Sequence, residues 1–166
     1  MDTITFDPVT TPEEYPVLFQ LASEIWAITY RDILSPDQIN YMLNMMYAPE
    51  VVEKERNEGI VFELVRNGGI PVGFLSYGPY APGKIKLHKL YLSGSCHGMG
   101  IGSGMLTHVK EAAKRLGAGE VLLNVNKNNA RAIRAYKRNG FSLIREEKNP
   151  IGNGFFMDDY VFGIKL

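Results

Sequence analysis

At 166 residues with 45% hydrophobic content, the chain is long enough for one domain with a proper core and too short for several. Its 18 basic and 18 acidic side chains cancel, which disfavours a nucleic acid or an anionic membrane as partner. A single cysteine excludes an internal disulfide, suits a reducing compartment and, with three scattered histidines, offers no metal-ligand spacing.

Met1–Asp7 has neither a basic region nor a long apolar one, and no window approaches the roughly 18 consecutive apolar residues of a membrane helix. A soluble cytoplasmic protein is the expectation. Thr3–Phe6 reads as a first strand. Thr11-Pro12-Glu13-Glu14 starts a helix, with threonine as cap, proline in the first turn and acids against the dipole. Its inward stripe is Tyr15, Leu18, Phe19, Ala22, Ile25 and Trp26. Ser35-Pro36-Asp37 starts a second helix with Ile39, Met42, Leu43 and Met46 inward, and Pro49-Glu50 a third, shorter and more polar, ending near Gly59.

Strands then take over. Ile60–Arg66 and Ile70–Tyr77 flank Asn67-Gly68-Gly69, a hairpin signal. After Pro79 and Ala81-Pro82-Gly83, the apolar residues Ile85, Leu87, Leu90 and Leu92 mark a central strand. His97–Gly104 packs four glycines into eight residues, and beyond it Met105, Leu106, Val109, Ala112, Ala113 and Leu116 define one helix face. Val121–Val125 is a short strand, Asn128-Asn129 caps a helix of about ten residues, and Asn139-Gly140 closes it. Phe141–Glu146 predicts another strand, Asn149–Gly154 a long turn, and Phe155–Lys165 a last strand. Together these imply an α/β (mixed α+β) domain over residues 1–166, a mixed sheet with helices on both faces.

The glycine-dense stretch carries the chemistry. A helix N-terminus leaves N–H groups unpaired and partly positive, and preceding glycines let the backbone approach an anion closely. A pyrophosphate suits such a site; glycines used only for tight packing are the other reading. Ser103 and Met105 stand where G-x-G-x-x-G would need its third glycine, and no Gly-Lys-Ser/Thr closes a Walker loop. A nucleotide-binding α/β protein using this turn for ATP or NAD is therefore disfavoured.

His97-x-x-Gly100-x-Gly102 resembles the Gln/Arg-x-x-Gly-x-Gly/Ala signature of the GNAT N-acetyltransferase superfamily. Asn129-x-x-Ala132-x-x-x-Tyr136-x-x-x-Gly140-Phe141 resembles that family's second cofactor motif, and Leu90-Tyr91-Leu92 its strand along the pantetheine arm. The resemblance implies a central, mostly antiparallel twisted sheet, acetyl-CoA as cofactor, and direct acetyl transfer to an amine. Backbone groups of Leu90, Tyr91 and Leu92 would hold the pantetheine and polarise the thioester, and those of His97, Gly98, Met99, Gly100, Ile101, Gly102 and Ser103 the pyrophosphate. Asn129 and Ala132 would lie along the cofactor arm, Arg138 near the 3′-phosphate, and Tyr136 would protonate the departing thiolate. His97 departs from the usual Arg or Gln. Cys96 reads as a bystander.

Many family members carry a glutamate just before the Leu-Tyr-Leu segment; here Lys86, His88 and Lys89 stand there. His88 is the candidate base, with Glu24, Asp158, Asp159 or a water relay as others. By resemblance the acceptor site draws on the first two helices and the last hairpin, which brings in Glu24, Trp26, Tyr30, Tyr77, Phe156 and Asp158. Aromatic rings beside acidic groups suit a cationic amine. Residues 25–46 and 155–166 resemble PaiA-type polyamine acetyltransferases; a small-molecule amine or a peptide amino terminus is the expected partner. A coenzyme A-binding sensor that has lost catalysis is the alternative. A homodimer would be in keeping with the family.

Overall fold

The computed structural model describes residues 3–166, so Met1 and Asp2, part of the stretch inspected for a targeting signal, lie outside the described residues. A seven-stranded sheet runs in the order β1-β2-β3-β4-β5-β7-β6, built from β1 (Ile4–Pro8), β2 (Val61–Asn67), β3 (Ile70–Ala81), β4 (Lys84–Leu92), β5 (Glu120–Asn126), β6 (Ser142–Gly152) and β7 (Phe155–Lys165). Every pairing is antiparallel except β4 with β5. Helices α1 (Tyr15–Thr29), α2 (Pro36–Tyr47) and α3 (Pro49–Asn57) cover one face, and α4 (Ile101–Arg115) and α5 (Ala130–Arg138) the other.

Each face has its own core. Trp26, Tyr47, Phe62, Leu64 and Phe74 anchor the α1–α3 side; Leu75, Leu87, Met105, Leu106, Val109, Leu123 and Phe162 anchor the α4–α5 side. Two helix starts follow their sequence signals: Ser35 Oγ accepts from the Gln38 amide, and Asn129 Oδ1 from the Ala132 amide at 3.3 Å. Thr11 caps no amide with its side chain and leads only into a 3-10 turn, Pro12–Glu14, before α1. Several boundaries differ from expectation; β3, for one, runs through Pro79 to Ala81 rather than ending at Tyr77. The first strand runs from Ile4 to Pro8 rather than from Thr3 to Phe6, since at the sheet edge Pro8 needs no ladder donor. The expected turn at Asn149–Gly154 is mostly strand, because β6 holds its register with β7 as far as Gly152↔Phe155. Leu116 is 63% exposed: it lies past the last residue of α4, where the inward stripe no longer applies.

The feature that organises the molecule is a break inside the sheet. β4 and β5 pair only through Leu87↔Leu123, after which β4 stays with β3 up to Leu92↔Gly73 and β5 with β7 up to Asn126↔Asp159. At the same point β4 carries a bulge: Ser76 pairs with Lys89 and Tyr77 with Leu87, leaving His88 without an opposite number. The extra residue inverts the alternation, so that Ile85 and Leu87, then Leu90 and Leu92, all face the α4 core while Tyr91 faces α1.

Candidate active site

The diverging strands open a cavity of about 460 Å³ lined from both sides of the sheet by α1, α2, β4, β5, α5 and the turn before α4. One end is built of main chain. Gly98 and Gly100 both adopt φ of +79°, a left-handed conformation that costs any other residue strain, and Gly100 is the N-cap of α4. Gly104 N–H bonds to Gly100 O at 3.0 Å, closing the first turn. The amides of Ile101, Gly102 and Ser103 precede that bond and have no partner within the helix. No acidic side chain occupies this turn. A Cβ built at Gly98, Gly100 or Gly102 would meet no protein atom within 4 Å. These glycines therefore front open space and are not packing devices, which fits a site for an anionic group.

His97 reaches the cavity, but its Nε2–H donates to the Leu92 carbonyl at 3.1 Å. Its imidazole ties the end of β4 to the turn, which leaves the expected role toward an anion to its backbone. Gly98, Gly100, Gly102 and Ser103 line the wall, as do Leu90, Tyr91, Leu92, Asn129, Ala132, Tyr136 and Arg138. Met99 and Ile101 do not: Met99 is exposed and Ile101 is buried in the α4 core. Tyr136 packs edge-on against Phe141 and is held well above the ordinary phenol range by burial, with Tyr30 adding to it. Its proton therefore stays on across the working pH range.

The other end is aromatic. Tyr30 meets Trp26 and Tyr91 edge to face, Trp26 and Tyr91 lie tilted to one another, and the Tyr30 and Tyr91 hydroxyls lie 3.0 Å apart. Burial pushes the Tyr30 phenol up to about 12. Gln38 Nε2 donates to Phe156 O at 2.8 Å, clamping α2 to β7 across the mouth. His88 opens onto the cavity from the bulge. Desolvation in the cleft, then the charges of Lys89 and Lys86, push it down to about 4, so the imidazole is neutral at physiological pH.

Three expected acceptor residues lie elsewhere. Glu24 is on the solvent side of α1, two residues from Trp26 and so on the far face of the helix, where it accepts from Gln20 at 3.1 Å. Tyr77 faces the α4 core, where its hydroxyl donates to the buried Glu63 at 3.0 Å while His108 holds the other carboxylate oxygen at 2.7 Å. Asp158 forms an ion pair with Lys127 at 3.0 Å, off the cavity wall. Its neighbour Asp159, one step along the strand and so on the other face, lines the cavity instead. Gln38, Asn124 and Met157 also line it without having been singled out. For Asn124 a signal existed, a polar residue interrupting the apolar run Val121–Val125.

The sequence matches the family described as Acetyltransferase (GNAT) family over residues 16–141. The chain belongs to this family. GNAT enzymes use acetyl-CoA, and the free amides ahead of open space at α4 suit its pyrophosphate. Among similar proteins, a spermidine N(1)-acetyltransferase of Thermoplasma acidophilum is 26% identical over 151 residues, covering 88% of this chain and 91% of the relative. The crystal structure of the PaiA N-acetyltransferase from the same organism, in complex with coenzyme A, superposes with a TM-score of 0.81 at 24% identity, covering 99% of each chain. The ribosomal-protein-S18-alanine N-acetyltransferase of Escherichia coli gives 0.71 at 15% identity, over 99% and 94% of the two chains. At these identities the structures share the GNAT fold with this acetyltransferase. No helix among its described residues is long and apolar enough to cross a membrane.

Proposed function

We propose that this acetyltransferase passes acetyl directly to a primary amine of a small cationic molecule of polyamine type. The observation that carries the reading is the cavity itself, whose anion-suited end and aromatic end meet where β4 and β5 part. The similarity to an enzyme named for spermidine supports the acceptor class. A wall of Trp26, Tyr30 and Tyr91 suits an alkylammonium better than a carboxylate. The expected peptide amino terminus and the homodimer have no such support.

Acetyl-CoA supplies the activated acetyl group. Leu90–Leu92, unpaired on the β5 side, offer main-chain groups to orient the pantetheine and the thioester carbonyl. Gly98–Ser103 hold the pyrophosphate, with Asn129 and Ala132 along the arm and Arg138 toward the 3′-phosphate. The acceptor attacks as the neutral amine. An imidazole as weakly basic as His88 does not strip a free ammonium, but it does take a proton once the new C–N bond has made the nitrogen acidic. Tyr136, which keeps its proton, donates it to the departing thiolate.

The test is release of free coenzyme A across polyamines, amino acids, aminoglycosides and short peptides, with Tyr136→Phe beside the wild type. Turnover on polyamines that falls roughly 10²-fold or more in the variant is expected. Cofactor binding without turnover on any amine would leave a coenzyme A-binding sensor.

A further inference from the structure

Asp159 is a charge without a counter-charge. It is 3% exposed, lines the cavity, and among the described residues its side chain has one polar partner, Asn124, whose Nδ2 donates to Oδ2 at 3.4 Å. The three other acids of the hairpin are paired, Glu146 with Lys127 at 3.4 Å. Asp158 holds Lys127 at 3.0 Å, and Glu147 holds Arg145 at 2.9 Å. Among the described residues no lysine, arginine or histidine comes within 4.0 Å of Asp159. The groups facing it are Tyr30 from α1, Lys86 from β4, and the acids Glu147 and Asp158. Of these only Lys86 is cationic, and its ammonium lies over the Tyr80 ring. Burial raises the Asp159 pKa, and a buried carboxylate with no counter-charge is unfavourable unless it takes up a proton or a cation reaches it. The cavity gives that cation its route.

We propose that Asp159 binds a second, non-reacting ammonium of the acceptor, so that the enzyme selects diamines and polyamines over monoamines. The inference rests on the reading of a small cationic acceptor given above. The reacting nitrogen is the wrong partner, since a carboxylate against it stabilises the ammonium form and works against the neutral amine that must attack. A nitrogen that stays charged throughout gains from the pairing without opposing the chemistry. Asn124 then orients the carboxylate, and its second contact, to Glu147 Oε2 at 3.2 Å, keeps the amide from turning away.

The test separates binding from turnover. With the site loaded with coenzyme A, which transfers nothing, calorimetry measures the affinity of 1,4-diaminobutane and of n-butylamine for wild type, Asp159→Asn and Asp158→Asn. The diamine is expected to bind the wild type more tightly. Asp159→Asn is expected to weaken it roughly 10- to 100-fold, the scale of a hydrogen bond to a charged group, and to leave n-butylamine and coenzyme A within about twofold. Asp158→Asn, already paired with Lys127, is expected to change neither amine. Asp159→Ser gives the same readout without presenting an amide to the wall. Equal loss for both amines, no loss for either, no diamine binding to wild type, or a parallel loss of coenzyme A affinity and thermal stability would overturn the assignment. A wild type that binds the diamine but acetylates no amine would overturn the proposed reaction and leave this site standing.

Discussion

The turn before α4 allows folding and ligand binding to be separated by two alanine substitutions two residues apart. Gly102 lies in the first turn of α4 with helical backbone, lines the cavity, and has no protein atom within 4 Å of where a Cβ would stand. Replacing it by alanine removes unfolded-state freedom and creates no clash, which stabilises the fold by about 0.4–1 kcal/mol. For a chain of this size that raises the melting temperature by about 1–4 °C. The same methyl group enters the space the pyrophosphate would occupy and pushes it off the helix amides. Loss of one hydrogen bond to a charged group, about 1.5–3 kcal/mol, weakens coenzyme A roughly 10- to 150-fold. Gly100, at φ +79°, behaves oppositely: alanine there is strained and costs about 1–2 kcal/mol of stability before any ligand is considered. Ligand-free thermal unfolding and calorimetric titration of coenzyme A on both variants make the comparison. If Gly102→Ala unfolds as easily as Gly100→Ala while its coenzyme A affinity is unchanged, the glycines serve the fold and the anion site is refuted.

Two further outcomes follow from residues on either side of the sheet. Tyr77→Phe leaves the buried Glu63 without one of its two donors and is expected to cost about 1–3 kcal/mol in denaturant unfolding; kcat and KM for amine should not move, and a changed KM would return Tyr77 to the acceptor site. Because His88 is depressed to about 4, it is already neutral well below pH 6, so kcat/KM should rise from pH 6 to 9 with the ionisation of the amine alone. An additional limb near 6.5, lost in His88→Gln, would mean that the imidazole titrates normally.

The two motifs singled out by the family resemblance were legible as structural units because their spacing is local. A glycine turn ahead of a helix and an asparagine cap seven residues before a tyrosine each lie within one strand–turn–helix unit, and the chain alone sets their geometry. The bulge left a trace that was read only as a strand: the step from Leu87 to Leu90 is three where an even strand would take two. At the aromatic end the resemblance pointed to the first two helices and the last hairpin, and Trp26, Tyr30 and Phe156 do line the cavity. Glu24, Tyr77 and Asp158 do not, because that end is assembled from elements far apart in sequence and the chain alone does not fix which side chains face inward. Face selection there turns on a single residue. Asp158 and Asp159 are chemically identical in the sequence, and only the register of β7 against Asn126 sends one to Lys127 and the other into the cavity. Glu24 illustrates the same limit on a helix, where a position two residues from a wall-forming tryptophan faces solvent.

Strands leave unpaired main chain at the margins of a sheet, where proteins blunt it with charge, proline or short length. The parting of β4 and β5 puts two such margins in the middle of the molecule, with helices above and below them. The helices on either side cover these margins, which reduces the usual hazard of an open edge, pairing with another chain. What can reach them is something narrow, flexible and carrying its own amides. Under the proposed reaction the opening would screen by shape before any side chain takes part, with a linear ligand lying where the β4–β5 pairing is missing.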